Sequence, residues 1–165
     1  MTMCVFWKDV NHDIHAATDS RLNSNVATLD HCLKISRLEC NVYSAGEDEL
    51  KKTVDIAVAF CGGFISAYTI KESLSEILNK ISLIPDVSSL SMDLITNVVL
   101  SVYTKITPDI IEYSLSGNGA CIFYLIGYCE REHEMQMYKI GCKVNKTGDG
   151  YDIFKEKCFA DTLYE

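Results

Sequence analysis

Thr2 carries two groups that could act together in a hydrolytic reaction. Because threonine is small, we expect an aminopeptidase to remove Met1 and to leave Thr2 with a free α-amine. An α-amine has a pKa of about 8, so it can act as the general base for the hydroxyl of the same residue. Such a nucleophile needs a cation to tune the amine, a carboxylate to position that cation, and donors for an oxyanion. The alternative interpretation is that Thr2 is an ordinary strand residue.

The glycine pair Gly62-Gly63 lies where the spacing of the apolar residues changes. Residues 54–60 form a short apolar run typical of a buried strand, and the apolar residues in 65–78 follow helical spacing. A glycine backbone can approach a ligand closely, and the first N–H groups of a helix can donate to a negative oxygen. The pair therefore either contributes to an anion-binding site or only permits the turn.

The histidines and cysteines do not show the spacing of a metal or redox motif. No CxxC pair is present, which argues against a zinc ribbon and a thioredoxin-type motif, and no GxSxG elbow is present. We therefore expect neither a metal nor a cofactor. Cys61 could be a thiolate with a lowered pKa at a helix N-terminus, or a buried cysteine that acts as a small hydrophobe. The histidines and cysteines of the sequence are His12, His15, His31, His133, Cys4, Cys32, Cys40, Cys61, Cys121, Cys129, Cys142 and Cys158.

Length and charge limit the class of protein. A chain of 165 residues is long enough for one domain with a sizeable core, which we place at residues 1–165. The formal net charge of −8, with no basic cluster to offset it, argues against nucleic acid or an anionic membrane as partner. No apolar run approaches the ~20 residues of a membrane helix, and the first residues do not resemble a signal peptide. We expect a cytoplasmic protein with reduced cysteines.

Hydrophobic spacing predicts an α+β domain in which two helices stack on antiparallel strands. The predicted strands are residues 1–8, 14–18, 26–29, 32–38, 54–60, 120–128 and 134–142, and the predicted helices are residues 65–78 and 90–106. Ser88 or Ser89 is expected to cap the second helix, and Pro108 to lie beyond its end. Residues 39–53 are predicted to be a charged, exposed loop, and residues 143–165 a tail with no assigned element.

Short motifs in a fixed order resemble the proteasome-like family of N-terminal-nucleophile hydrolases, above all its bacterial protease-subunit branch and the proteasome beta subunit. Thr2 opens a strand, residues 16–21 read AATDSR, and residues 33–38 read LKISRL with Lys34 placed 32 residues after Thr2. Residues 59–72 (AFCGGFISAYTIKE) are similar to the family's Gly-Gly turn into its first helix, and residues 121–140 to its next hairpin. The resemblance covers about residues 2–142.

The resemblance implies catalytic roles for four residues. Thr2 would be the nucleophile and its own base, and Lys34 would lower the pKa of the amine. Asp19 would orient Lys34. The Gly62 N–H would be the oxyanion donor. Removal of such a donor from other hydrolases raises the activation free energy by about 3 kcal/mol.

Substrate contacts are implied for three further residues. The backbone of Asn23 would pair with an extended peptide as an added strand. Phe60 would lie at the base of the pocket for the residue before the cut, and Gly63 would also belong to the substrate site. The implied substrate is a peptide or an unfolded protein.

The resemblance also implies an αββα sandwich of antiparallel sheets. A sandwich whose last layer is incomplete is the alternative. Members of this family assemble into rings, so a homo-oligomer is expected, and a regulatory ATPase is a further expected partner. These features predict a threonine-type peptidase.

A second hypothesis is a catalytically inactive, proteasome-like structural or interaction subunit. Asp19 lies 17 residues after Thr2, one more than in the family, and no Gly-Ser-Gly turn or late acidic residue is identified after residues 135–142. Retention of Met1 would also favour inactivity. In this interpretation Lys34 is an exposed strand lysine and Asp19 a turn former. A third hypothesis is a metal- or redox-linked cysteine-rich domain.

Overall fold

The computed structural model describes residues 3–23, 28–44, 49–82, 89–111, 120–145 and 150–159 of the chain. These residues form an α+β fold, which confirms the predicted class. The helices are α1 (Phe64–Leu78) and α2 (Met92–Asp109). The strands are β1 (Cys4–Lys8), β2 (Ile14–Thr18), β3 (Leu22–Asn23), β4 (Thr28–Leu29), β5 (Ile35–Tyr43), β6 (Leu50–Gly62), β7 (Ile81–Ser82), β8 (Cys121–Cys129), β9 (Glu134–Val144) and β10 (Tyr151–Cys158).

A six-stranded sheet in the order β10-β9-β8-β6-β5-β7 is the centre of the fold. All of its strand pairs are antiparallel except the short pairing of β5 with β7. The strands β1 and β2 form a separate hairpin, and β3 and β4 form another two-stranded pair. The long strand β6 joins the two halves of the main sheet because it pairs with both β5 and β8.

Alternation along β6 separates the two faces of the sheet. Ile56, Val58 and Phe60 belong to the core shared with the helices, and the Phe60 ring lies 6.1 Å from that of Tyr68 in α1. On the opposite face the β1–β2 hairpin covers the sheet, where the Phe6 ring lies 4.5 Å from that of Tyr124. The order of layers is therefore helix pair, sheet, hairpin.

The αββα sandwich would require a second helical layer outside the β1–β2 hairpin. Within the described ranges no helix occupies that position. The four-layered arrangement therefore stays a prediction. Neither α1 nor α2 is long and apolar enough to cross a membrane, and these are the helices found in the described part of the chain.

Both helices pack through apolar faces, but two residues that helical spacing assigned to the apolar face of α1, Ile65 and Ile77, are exposed. In α1 the fully buried Ile70, Leu74 and Leu78 recur every four residues, and each contributes about 2 kcal/mol of burial. In α2 the cap is Ser91, whose Oγ accepts the N–H of Leu94 at 3.3 Å.

Two details of the α2 prediction are corrected. The cap prediction is wrong for Ser89, and Ser88 lies outside the described residues. Pro108 lies inside the last turn rather than beyond the helix, because the packing face continues to the buried Thr107.

The prediction of an exposed loop at residues 39–53 is wrong. Strand β5 continues to Tyr43 and β6 begins at Leu50, with residues 45–48 outside the described part. The charged residues alternate with buried ones such as Cys40, so they occupy one face of a long hairpin. On that face Arg37 bonds to Asp55 at 2.7 Å.

The tail, which had no assigned element, supplies the edge strand β10. It pairs with β9 over its whole length. Lys155 ties it to α2 through Asp93 at 2.7 Å and Asn97 at 2.5 Å. Its period-2 pattern is weak because its residues are mostly half-buried or exposed.

Candidate functional site

Lys34 is the buried cation of the site. Its side chain is 0% exposed, and its Nζ donates to both carboxylate oxygens of Asp19 at 3.0 Å and to the Arg21 carbonyl at 2.6 Å. The Lys34 carbonyl accepts the N–H of Phe60 at 3.1 Å, which fixes this segment beside the end of β6. The interpretation of Lys34 as an exposed strand lysine is therefore wrong. The expected contact between Lys34 and Asp19 is present.

Asp19 connects this cation to the start of the chain. Its Oδ1 accepts the N–H of Met3 at 2.8 Å, and its own N–H donates to the Met3 carbonyl at 3.1 Å. Two hydrogen bonds lower the pKa of the Asp19 carboxyl below its usual range. The bond from the Met3 N–H has the larger effect, and the bond from the Lys34 ammonium comes second. The carboxylate thus holds both Lys34 and the residue that is covalently joined to Thr2. Thr2 itself lies outside the described residues.

The glycine pair makes a tight turn between β6 and α1. Gly62 has a φ of +103°, a left-handed conformation that favours glycine, and it is exposed. The N–H of Gly63 donates to the Ala120 carbonyl at 2.9 Å, and its carbonyl accepts the N–H of Ala67 at 3.0 Å. Both backbone groups of Gly63 are therefore engaged within the protein. The oxyanion role of Gly62 stays a prediction.

The remaining predicted substrate residues lie in different places. Phe60 is 2% exposed, and its ring packs against Phe64 and Tyr68 in the core between the sheet and α1. Asn23 lies in β3, where it pairs with Thr28 of β4. Substrate contact by Asn23, Phe60 and Gly63 stays a prediction.

Cys4 and Cys61 also lie at this site, and the sequence had indicated a reactive thiolate only at Cys61. A hydrogen bond from the Cys4 thiol, supported by the Tyr124 hydroxyl and nearby lysines, lowers the pKa of Cys61 to about 6. The same hydrogen bond, together with burial, raises the pKa of Cys4. Strand alternation could have placed Cys4 on the inward side of β1 with Phe6. Its partner on β6 could not be read from the sequence.

Acid is expected to weaken the contribution of Asp19 to stability. Because its folded pKa is lowered, that contribution is fully present above the unfolded value of about 3.9 and is lost as pH falls through the folded pKa. Thermal unfolding of the native protein and of Asp19→Asn between pH 2 and 7 measures this. The difference in Tm should be largest near neutral pH and should shrink below about pH 4. Glu76→Gln, at an exposed position of α1, is the control. A difference for Asp19→Asn that does not change with pH would contradict the prediction.

Within the described ranges no group of three or more His, Cys, Asp or Glu side chains could hold a metal ion. A groove of about 580 Å³ lies between β2 and the main sheet, lined among others by Ile14, Arg37 and Met135. None of Asp19, Lys34 and Gly62 lines this groove.

Comparison of the chain with family models, with characterised proteins and with solved structures finds no match.

Proposed function

We propose that this chain is a threonine-type peptidase of the N-terminal-nucleophile kind, in which Thr2 is the nucleophile once Met1 has been removed. The observation that carries the proposal is the triangle of Lys34, Asp19 and the Met3 N–H. A buried ammonium is costly unless it is paired and hydrogen-bonded. Here the pair is hydrogen-bonded to the backbone N–H of Met3, the residue that follows Thr2 in the chain.

The proposed chemistry uses the amine and hydroxyl of the same residue. The Thr2 amine accepts the hydroxyl proton as the oxygen attacks the peptide carbonyl, and the positive charge of Lys34 keeps the pKa of that amine low. The oxyanion is stabilised by the N–H of Gly62, an exposed residue. The amine then gives its proton to the leaving nitrogen, which leaves an ester on Thr2. Water hydrolyses this ester and regenerates the free hydroxyl.

The extra residue between Thr2 and Asp19 is compatible with this chemistry. Strands β1 and β2 pair without a register shift from Cys4↔Thr18 to Lys8↔Ile14, so the extra residue lies in the turn at residues 9–13. In that turn His12 adopts a φ of 66°, and Asp9 accepts the N–H of Asn11 at 2.9 Å. The insertion is therefore absorbed far from Asp19.

By the same resemblance, the substrate is an extended peptide or an unfolded protein that pairs with the backbone of Asn23. The functional unit is a homo-oligomeric ring of αββα subunits, regulated by an ATPase. In that arrangement the helix pair, the main sheet and the β1–β2 hairpin would be three of the four layers. The cytoplasm is the proposed compartment.

An inactive subunit of the same fold is the second candidate. The observation that favours it is the Gly63 N–H, which is bound by the Ala120 carbonyl and cannot serve as a second oxyanion donor without breaking that bond.

The test is the intact mass and N-terminal sequence of the native protein, followed by hydrolysis of a panel of fluorogenic peptides. We expect the chain to begin at Thr2 and to hydrolyse at least one peptide. Thr2→Ala should reduce the rate to the uncatalysed level, whereas Thr69→Ala, at an exposed position of α1, should leave it unchanged. Met1 retained on essentially every molecule would exclude the mechanism and favour the inactive subunit.

A further inference from the structure

Cys4 and Cys61 form a pair of thiols between two layers of the fold. Cys4 begins β1 in the hairpin layer, and Cys61 lies near the end of β6 in the main sheet. The Cys4 Sγ lies 3.6 Å from the carbonyl of Phe60, the residue that precedes Cys61. Because Phe60 belongs to the core on the helix side of the sheet, alternation along β6 turns the Cys61 side chain toward the hairpin. Both cysteines are half-buried, so the two thiols lie near each other between the layers and outside the sealed core.

The surroundings make the two thiols chemically unequal. The thiolate is the reactive form of cysteine, and reactive cysteines have pKa values of about 3.5–7.5. Cys61, with a pKa of about 6, is in this range because it accepts from Cys4 and Tyr124 and lies near Lys139 and Lys34. Cys4, the donor, keeps its proton until Cys61 has reacted. This arrangement supplies an attacking thiol and a resolving thiol at one place.

We propose that Cys4 and Cys61 form a reversible thiol–disulfide site that reacts with small-molecule disulfides, and that the resulting Cys4–Cys61 disulfide joins β1 covalently to the end of β6. The site does not depend on Thr2 and goes beyond the proposed hydrolase function.

The reaction proceeds in two successive thiol–disulfide exchanges. The Cys61 thiolate attacks one sulfur of a small-molecule disulfide such as glutathione disulfide, which forms a mixed disulfide and releases one glutathione thiolate. Cys4 then loses its proton to solvent and attacks the Cys61 sulfur, which releases the second glutathione thiolate. The two protein thiols are oxidised by two electrons, and the small disulfide is reduced to two thiols. A small-molecule dithiol reverses both steps.

The experiment exposes the full-length native protein to glutathione buffers of graded oxidised fraction. Acid quenching, alkylation of free thiols and non-reducing peptide mapping then locate every modified cysteine. We expect a linked pair of Cys4 and Cys61 peptides, two fewer alkylated thiols, and full reversal by dithiothreitol. The rate of the first exchange, followed as loss of the free Cys61 thiol, should rise with pH through about 6. A Cys4–Cys61 link that is absent while other cysteines are modified, or a first exchange whose rate rises only near pH 9, would overturn the proposal.

Three variants separate the roles of the thiols. Cys4→Ser should stop the reaction at the mixed disulfide on Cys61, and Cys61→Ser should leave Cys4 unmodified. Cys158→Ser removes another half-buried thiol, whose pKa is raised by burial, and should leave closure unchanged. Loss of the link in Cys158→Ser would contradict the assignment of the pair. The peptide map of the native protein remains decisive even if a variant does not fold.

Discussion

Lys34→Ala is expected to lower the free energy of unfolding by about 3 kcal/mol, the usual cost of truncating a long buried side chain. The Lys34 side chain is fully buried, so alanine leaves an empty space beneath Arg21 and beside Asp19. Lys34→Met keeps most of the volume and removes the charge together with its hydrogen bonds to Asp19 and Arg21. The carboxylate of Asp19 retains the Met3 N–H and some contact with water, so the methionine variant should lose only about 1 kcal/mol. Urea unfolding of both variants measures the difference.

The same two variants separate the structural role of Lys34 from its proposed chemical role. If Lys34 tunes the Thr2 amine, both variants should lose peptide hydrolysis by about a hundredfold or more, although Lys34→Met remains folded at the assay temperature. Unchanged hydrolysis in Lys34→Met would remove Lys34 from the mechanism. Equal stabilities of the two variants would show that the aliphatic part of the side chain is not packed.

Gly62→Ala is expected to destabilise the fold by about 3 kcal/mol, which combines backbone strain with overpacking. A Cβ at this position would lie 2.5 Å from the Ala120 carbonyl oxygen and 2.9 Å from the Cys121 Cα. Both are backbone atoms, so they cannot move aside without disturbing the pairing of β6 with β8. The φ of +103° adds strain for any side chain. Chemical denaturation followed by circular dichroism measures the loss.

Gly63→Ala is the matched control for this prediction. Gly63 has φ −61° and ψ 115°, which any residue adopts, and it is the N-cap of α1. The expected cost is below about 1 kcal/mol. If the two alanine variants were equally stable, the turn would not require glycine at position 62.

The elements with a clear apolar period were predictable from the sequence. Strand β2 was predicted with its observed bounds, and the change of period at Gly62-Gly63 predicted the end of β6 and the start of α1. The β5–β6 hairpin was misread because charged residues on one face of a strand resemble a loop when the buried face consists of residues such as Cys40 and Val42. Strand β10 was not assigned because an edge strand buries too little surface to impose a period.

The site was predictable only in part. The pairing of Asp19 with Lys34 was expected only from the order of motifs in the family that the sequence resembles. Residues 15 positions apart in the sequence give no local signal that they are in contact. The pairing of Cys4 with Cys61 was not foreseen. It depends on how the hairpin layer lies on the sheet, and no short-range pattern encodes that packing.

The position of β6 also has a consequence for how the chain folds. The pairs β5–β6 and β8–β9–β10 each connect neighbouring segments, and β6 meets β8 only through pairs such as Gly62↔Cys121. Closing that loop costs conformational entropy before its contacts contribute, and non-local closure of this kind slows folding. We therefore expect the β5–β6 hairpin and the three-stranded β8–β9–β10 unit to form early and to dock late. Pairing of β6 with β8 is then the slow step of folding, and the turn that contains Gly62 lies at one end of this strand pair.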